Sequence, residues 1–292
     1  MTDNTPLVFG SRYHTWMLQA AKQQDVRLGV VDFLNTAPLI GGLERVSGIE
    51  FIHKVPSSLI GCLERDEVDL ALASSIDYQR SVIDLRILPV GVLSSEGETL
   101  TVRLCSSLPL EDIGEVYCDT DSHTSIVLLQ IVLRQKYGIT PKIIPTNIRS
   151  LLDSTKDWPE TVLIIGDKVV TSEHEPTYTH SLDLGQAWMD QTGLPFVFAT
   201  WLGPENLDKE LVNRARILLD RERRHNAQRI EQIVSTHAID RGWVPEVAFQ
   251  YLTNHMQYSF TKQHGESLDL FFELAASCSL IDTVRPVRYY SE

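Results

Sequence analysis

The 292-residue chain is short of cysteine, of basic charge and of long apolar runs, and each shortage removes a class of function. Its four cysteines (Cys62, Cys105, Cys118, Cys278) form no CxxC pair and no metal spacing. Free buried thiols in a reducing compartment are therefore expected, not disulfides. The nine histidines are scattered and include no HExxH, so no metal site is expected. Lysine and arginine number 26 against 39 acidic residues, a net charge of −13. That balance argues against nucleic acid as a partner, because a phosphate backbone needs a basic face. No stretch reaches the roughly 18 consecutive apolar residues of a membrane span, so no membrane partner is expected. The first 25 residues hold no apolar core with a small-residue cleavage site, so no signal peptide is read there. They read instead as a polar extension or an extra surface helix. No GxSxG, GxGxxG or phosphate loop is present, which removes the common hydrolase and nucleotide-binding readings.

What is present is an alternation. "RLGVVDFL" reads as a strand, followed by a helix from about Thr36 to Arg45; "GIEFIHKV" is a strand, "SLIGCLERDE" a helix, "VDLALASS" a strand and "SIDYQRSV" a helix. "LRILPVGVLSS" and "LTVRLCSS" read as two further strands. In the middle third "EVYCD", "KIIP" and "TVLIIGD" are strands, and "SHTSIVLLQIVLRQKYG" is a helix ending at Gly138. Such alternation predicts βαβ units and a largely parallel sheet. From about Leu207 the chain reads as helical nearly to its end. "TVRLCSSLP" and "PFVFATWLG" would be two crossings between lobes. The layout is α/β with two lobes and a cleft between them: residues 1–26 as an extension, 27–107 plus 198–292 as the first lobe, and 108–197 as the second.

Four strand ends carry small polar residues: Asn35 and Thr36; Ser74 and Ser75; "SSEGETLT", which ends at Thr101; and "DTDSHTS", from Asp119 to Ser125. Each is readable as a helix cap. Together they are also readable as a ligand site, because ligands in open α/β sheets bind beyond the carboxyl ends of the strands. Ser122, Thr124 and Ser125 place hydroxyls at a helix N-terminus, where amides and the helix dipole favour an anion without any Arg or Lys. Asp119 and Asp121 count against an anion there unless they point elsewhere. "LIIGD" ends a strand at Gly166, where backbone can approach a ligand, and Asp167 can equally be a plain cap. Trp188 and Trp201 read as core, with a cleft wall as the alternative. The residues alone imply a small polar or anionic organic ligand in an interlobe cleft, for transport-type binding or for unusual catalysis.

Taken together, "GVVDFLNTAPLIGGL", "VDLALASSIDY", "DSHTSIVLLQIVLRQKYG", "LIIGDKVV" and "DLGQAWMDQTGLPFVFATW" resemble the chorismate dehydratases of the futalosine route to menaquinone, from about Arg27 to Gly203. The resemblance implies a periplasmic-binding-protein-like fold of type II serving as a cytoplasmic, cofactor-free lyase. Its substrate would be chorismate, a dicarboxylate, with 3-[(1-carboxyvinyl)oxy]benzoate and water as products. It implies that Asn35 hydrogen-bonds the departing hydroxyl and that Thr101 stands where many members have serine. Ser122, Thr124 and Ser125 would grip a carboxylate, with Thr36, Ser74, Ser75, Gly166 and Asp167 at the remaining strand ends. The family's "SRTS" is "SHTS" here, which puts His123 where arginine is usual, and its "GPV" is Gly97, Glu98 and Thr99. A divergent or non-catalytic carboxylate binder on the same fold and the sister 1,4-dihydroxy-6-naphthoate synthase are the alternatives, and a homodimer is left open.

Overall fold

The computed structural model describes residues 25–152, 158–172 and 177–291. The extension expected over 1–26 lies almost wholly outside the described residues. The first lobe begins with β1 (Val26–Val30), α1 (Ala37–Ile40), β2 (Ile49–His53), α2 (Pro56–Glu64), β3 (Leu70–Ser74), α3 (Asp77–Arg80) and β4 (Leu85–Ser95). The second holds β5 (Val102–Ser106), β6 (Glu115–Asp119), α4 (His123–Tyr137), β7 (Lys142–Thr146), α5 (Ile148–Leu152), β8 (Thr161–Ile165), α6 (Lys168–Thr171), β9 (His180–Asp183) and α7 (Leu184–Thr192). The chain returns through β10 (Phe196–Pro204) to α8 (Lys209–Asn226), α9 (Ile230–His237) and α10 (Pro245–Gln250). A π-helical turn (Tyr251–His255), β11 (Met256–Gln257) and α11 (Lys262–Ser277) follow.

Two sheets result, in the orders β11-β4-β10-β3-β1-β2 and β7-β6-β8-β5-β9. They are mixed where a largely parallel sheet was expected, for a topological reason. In each lobe the parallel strands (β2, β1 and β3; β7, β6 and β8) end at the cleft. A strand arriving from the other lobe starts at the cleft and must run the opposite way. So β10 is antiparallel to β3 and β4, and β5 is antiparallel to β8 and β9. Since β5 pairs wholly within the second sheet, the boundary drawn after residue 107 falls one strand late.

The "DLG…W" block has a structural explanation at these crossings. The Asp183 carboxylate caps α7 by accepting from the Gly185 and Gln186 amides, and it also accepts from the Thr99 and Leu100 amides at 3.0 Å. Gly185 is required by space: a Cβ there would lie 2.4 Å from Ser95 Oγ and 2.6 Å from the Gly97 carbonyl. Trp188 is fully buried, edge-on to Phe196 and to Phe271 of α11, and its indole N–H donates to Ser267 Oγ at 3.2 Å. Trp201 is likewise buried. Both are core, and on this side the two lobes share one apolar interior. Cys62 and Cys118 are buried free thiols, as expected, Cys105 is buried, and Cys278 is free and half-buried.

Candidate active site

After β1 the chain makes one 3₁₀ turn at Leu34–Thr36 and then the short α1, with Pro38 in its first turn. The single helix expected from Thr36 to Arg45 is interrupted because Gly41 takes ψ 124° and Gly42 takes φ 98°, which no helix continues. Neither Asn35 nor Thr36 caps these turns. The cap comes from the other lobe: the Asp167 carboxylate, one residue past Gly166 at the end of β8, accepts from the Leu34 amide at 3.0 Å. Asp167 caps nothing in its own α6. Freed from capping, the Asn35 side chain donates through Nδ2 to the Tyr251 hydroxyl at 2.9 Å.

Asn35 borders a small cavity of about 50 Å³ between the lobes. Ser74, Ser122, Ser125 and Gly166 border it too, against apolar walls that include Phe33, Phe198 and Met256. Ser74 Oγ is buried and has no hydrogen-bond partner among the described residues. Ser122 accepts from the Ser125 amide and from the Ser125 hydroxyl, so both hydroxyls sit at the start of α4. That helix is held rigidly, with Val127, Leu128, Leu129, Ile131, Val132 and Leu133 all buried and Gly138 closing it at φ 69°. Gly166, at φ +83°, needs to be glycine: a Cβ would meet the Phe33 ring at 3.0 Å. Glu98 is exposed and does not border the cavity.

The remaining predicted residues hold the lobes together or brace the site. His123 Nδ1 lies 2.8 Å from the buried Asp77 carboxylate, outside the cavity. Burial pushes Asp77 up, and the His123 contact works against that. Thr124 Oγ1 accepts from the Ile76 amide across the cleft at 3.2 Å and stands 3.3 Å from Ser75 Oγ, which donates to the Val197 carbonyl. Neither Ser74 nor Ser75 caps α3. Thr36 Oγ1 reaches only Asn35 Oδ1, at 3.5 Å. Thr101 is buried, 3.0 Å from the Tyr251 hydroxyl.

Asp119 and Asp121 do point elsewhere. The buried Lys168 ammonium sits 2.6 Å from each of them. Burial nevertheless raises Asp119 to about 6. Sequence reading missed Lys168 and Tyr251, since neither stands at a strand end and only the fold brings them in. Among the described residues no group of three or more His, Cys, Asp or Glu is placed to hold a metal.

Burial also raises Asp167 from 3.8 to about 6. Between these values the folded chain keeps a proton that the unfolded chain has lost. Asp167 therefore favours folding most below pH 4, and its contribution falls as pH rises to about 6. Asp167→Asn keeps an acceptor for the Leu34 amide and removes the buried charge. Its unfolding midpoint at pH 7.5 is expected to equal or exceed wild type, with a shallower decline between pH 4 and 6. Denaturant titrations across that range check this.

A profile of the menaquinone biosynthesis family matches residues 26–277. The chorismate dehydratase of Thermus thermophilus is 30% identical over 243 residues, covering 78% of this chain and 87% of that protein. A crystallised protein of Archaeoglobus fulgidus superposes with a TM-score of 0.72 at 15% identity, covering 88% of this chain and 98% of its own. The periplasmic aliphatic sulphonate binding protein of Escherichia coli superposes at 0.63 and 14% identity, covering 93% and 95%. The latter likeness establishes the binding-protein-like fold, with its two lobes and cleft. On the family profile and the Thermus relative, the chain belongs to the chorismate dehydratase family of menaquinone biosynthesis.

Proposed function

We propose that the chain dehydrates chorismate to 3-[(1-carboxyvinyl)oxy]benzoate, without a cofactor, in the futalosine route and in the cytoplasm. The observation that carries this reading is the meeting of Asn35, Ser74, Ser122, Ser125 and Gly166 at one interlobe cavity. Loss of the C4 hydroxyl and the C3 proton makes the ring aromatic, so much of the driving force lies in the substrate. What the protein supplies is placement. Asn35 hydrogen-bonds the departing hydroxyl, a role that requires donors set in advance where charge develops. Ser122 and Ser125, with the dipole of α4 behind them, take a carboxylate without a cation. Ser74 gains a partner in the ligand. The substrate's own enolpyruvyl carboxylate is the proton acceptor, consistent with a cavity lined by no acidic side chain.

The cavity is far below the roughly 300–1,000 Å³ of ordinary ligand clefts, so the lobes part to admit substrate. The two departures from the family pattern, Glu98 and His123, both lie off the cavity and do not oppose the reading. The test is incubation of metal-free protein with chorismate, followed by absorbance and mass. The expected result is an aromatic product lighter than chorismate by one water. Saturable binding with no product would reassign the chain as a carboxylate-binding protein.

A further inference from the structure

We propose that Tyr251 is the positioning residue of the reaction, its hydroxyl fixing which way the Asn35 carboxamide faces. Tyr251 is fully buried and stacks on Trp243, with ring centroids 4.9 Å apart and 14° between planes. It does not border the cavity, so it acts through Asn35 and not on the substrate. Asn35 Nδ2 is 2.9 Å from the Tyr251 hydroxyl, which is 3.0 Å from Thr101 Oγ1, which in turn is 3.4 Å from the Thr99 carbonyl. A carbonyl only accepts, and each hydroxyl has one proton to give. The chain of bonds therefore runs one way: Thr101 donates to Thr99, Tyr251 donates to Thr101, and the Tyr251 oxygen accepts from the Asn35 amide. That order turns the Asn35 nitrogen toward Tyr251 and leaves its second N–H to serve the cavity, with its carbonyl oxygen 3.5 Å from Thr36 Oγ1.

The turn that carries Tyr251 is built for this. It is π-helical, a conformation that concentrates at functional sites, and both its ends grip the first crossing between lobes. Tyr251 holds Thr101, and His255 Nδ1–H donates to the Glu98 carbonyl at 2.9 Å. Burial keeps the phenol protonated by raising it well above its usual range. The placement of Asn35 is thereby tied to the crossing segment.

The inference rests on the chorismate reading, and its test separates the two. Tyr251→Phe keeps the ring, its stack and its volume. We expect kcat to fall about 10–100-fold, the scale set by a misplaced reacting group, with KM nearly unchanged. Asn35→Ala with Tyr251→Phe should be no slower than Asn35→Ala alone, because residues acting as one unit do not add. A Tyr251→Phe enzyme with wild-type kcat, or a double variant that multiplies both losses, overturns the inference. So does a Tyr251→Phe chain that does not fold, which would assign the hydroxyl to stability. A wild type with no turnover overturns the chorismate reading, and this inference with it.

Discussion

Asn35→Ala is expected to lower the turnover of chorismate by about 10²–10³-fold, the usual loss for a preorganised donor at a developing charge, and to leave the fold intact. The argument for a clean effect is structural. An asparagine at the start of a helix would ordinarily be a cap, and its loss would cost about 1 kcal/mol of stability. Here Asp167 caps the turn, so Asn35 is spared that task. The side chain is half-buried and its one strong protein contact is the Tyr251 hydroxyl. Alanine thus removes the donor at the cavity and little else. Initial rates of aromatic product, with a thermal melt of the same sample, check both halves. An unimpaired kcat would sink the assigned role. Asn35→Asp sharpens the result: it keeps the shape but puts a carboxylate where a donor was, and it is expected to be as impaired at neutral pH as alanine.

Lys168→Met destabilises the chain by about 3–5 kcal/mol, the typical cost of breaking a buried ion pair from one side. Lys168 and Asp119 are almost completely buried, and Asp121 is partly so. Methionine matches the length of the lysine stem but leaves Asp119 without its cation and Asp121 with only the more distant Arg149 guanidinium, 3.7 Å away. The loss is pH-dependent in a stated direction. Asp119 already holds its proton to about pH 6 with the ammonium beside it, and without the ammonium its affinity for a proton rises further. The variant therefore recovers stability as pH falls, and its deficit is largest above pH 7. Denaturant unfolding at pH 5 and pH 8 measures the difference. Adding Asp119→Asn to Lys168→Met should return part of the stability at pH 8. An equal deficit at both pH values would show that packing, not charge, is what Lys168 supplies.

The strands, the long helix of the second lobe and the convergence of small polar residues at strand ends were legible because each has a local signature. "HTSIVLLQIVLRQKY" has apolar periodicity, a serine cap and a closing glycine, and it became α4 with those features in place. The meeting of Asn35, Ser74, Ser122, Ser125 and Gly166 followed from the rule for strand ends. What was not legible is every relation across the cleft. Asn35 looked like a cap because capping is judged from neighbours in sequence, whereas its competitor, Asp167, is 133 residues from the Leu34 amide it caps. His123, Thr124 and Ser75 looked like ligands because nothing local shows that Asp77, Ile76 and Val197 satisfy them first. Tyr251 lies in a segment whose pattern says only helix, and a π turn leaves no mark on apolar periodicity. Lys168 stood inside the quoted "LIIGDKVV" with nothing local to mark it, and its value depends on two aspartates reached through a different strand.

The cap supplied by Asp167 has a temporal meaning. If the lobes part to admit substrate, as proposed, the carboxylate leaves the Leu34 amide, and the turn bearing Asn35 keeps its Tyr251 contact but loses its cap as the cleft admits water. When they close, support and enclosure return together. The molecule thus carries its own order of events, in which the turn before Asn35 is capped only while the lobes are together.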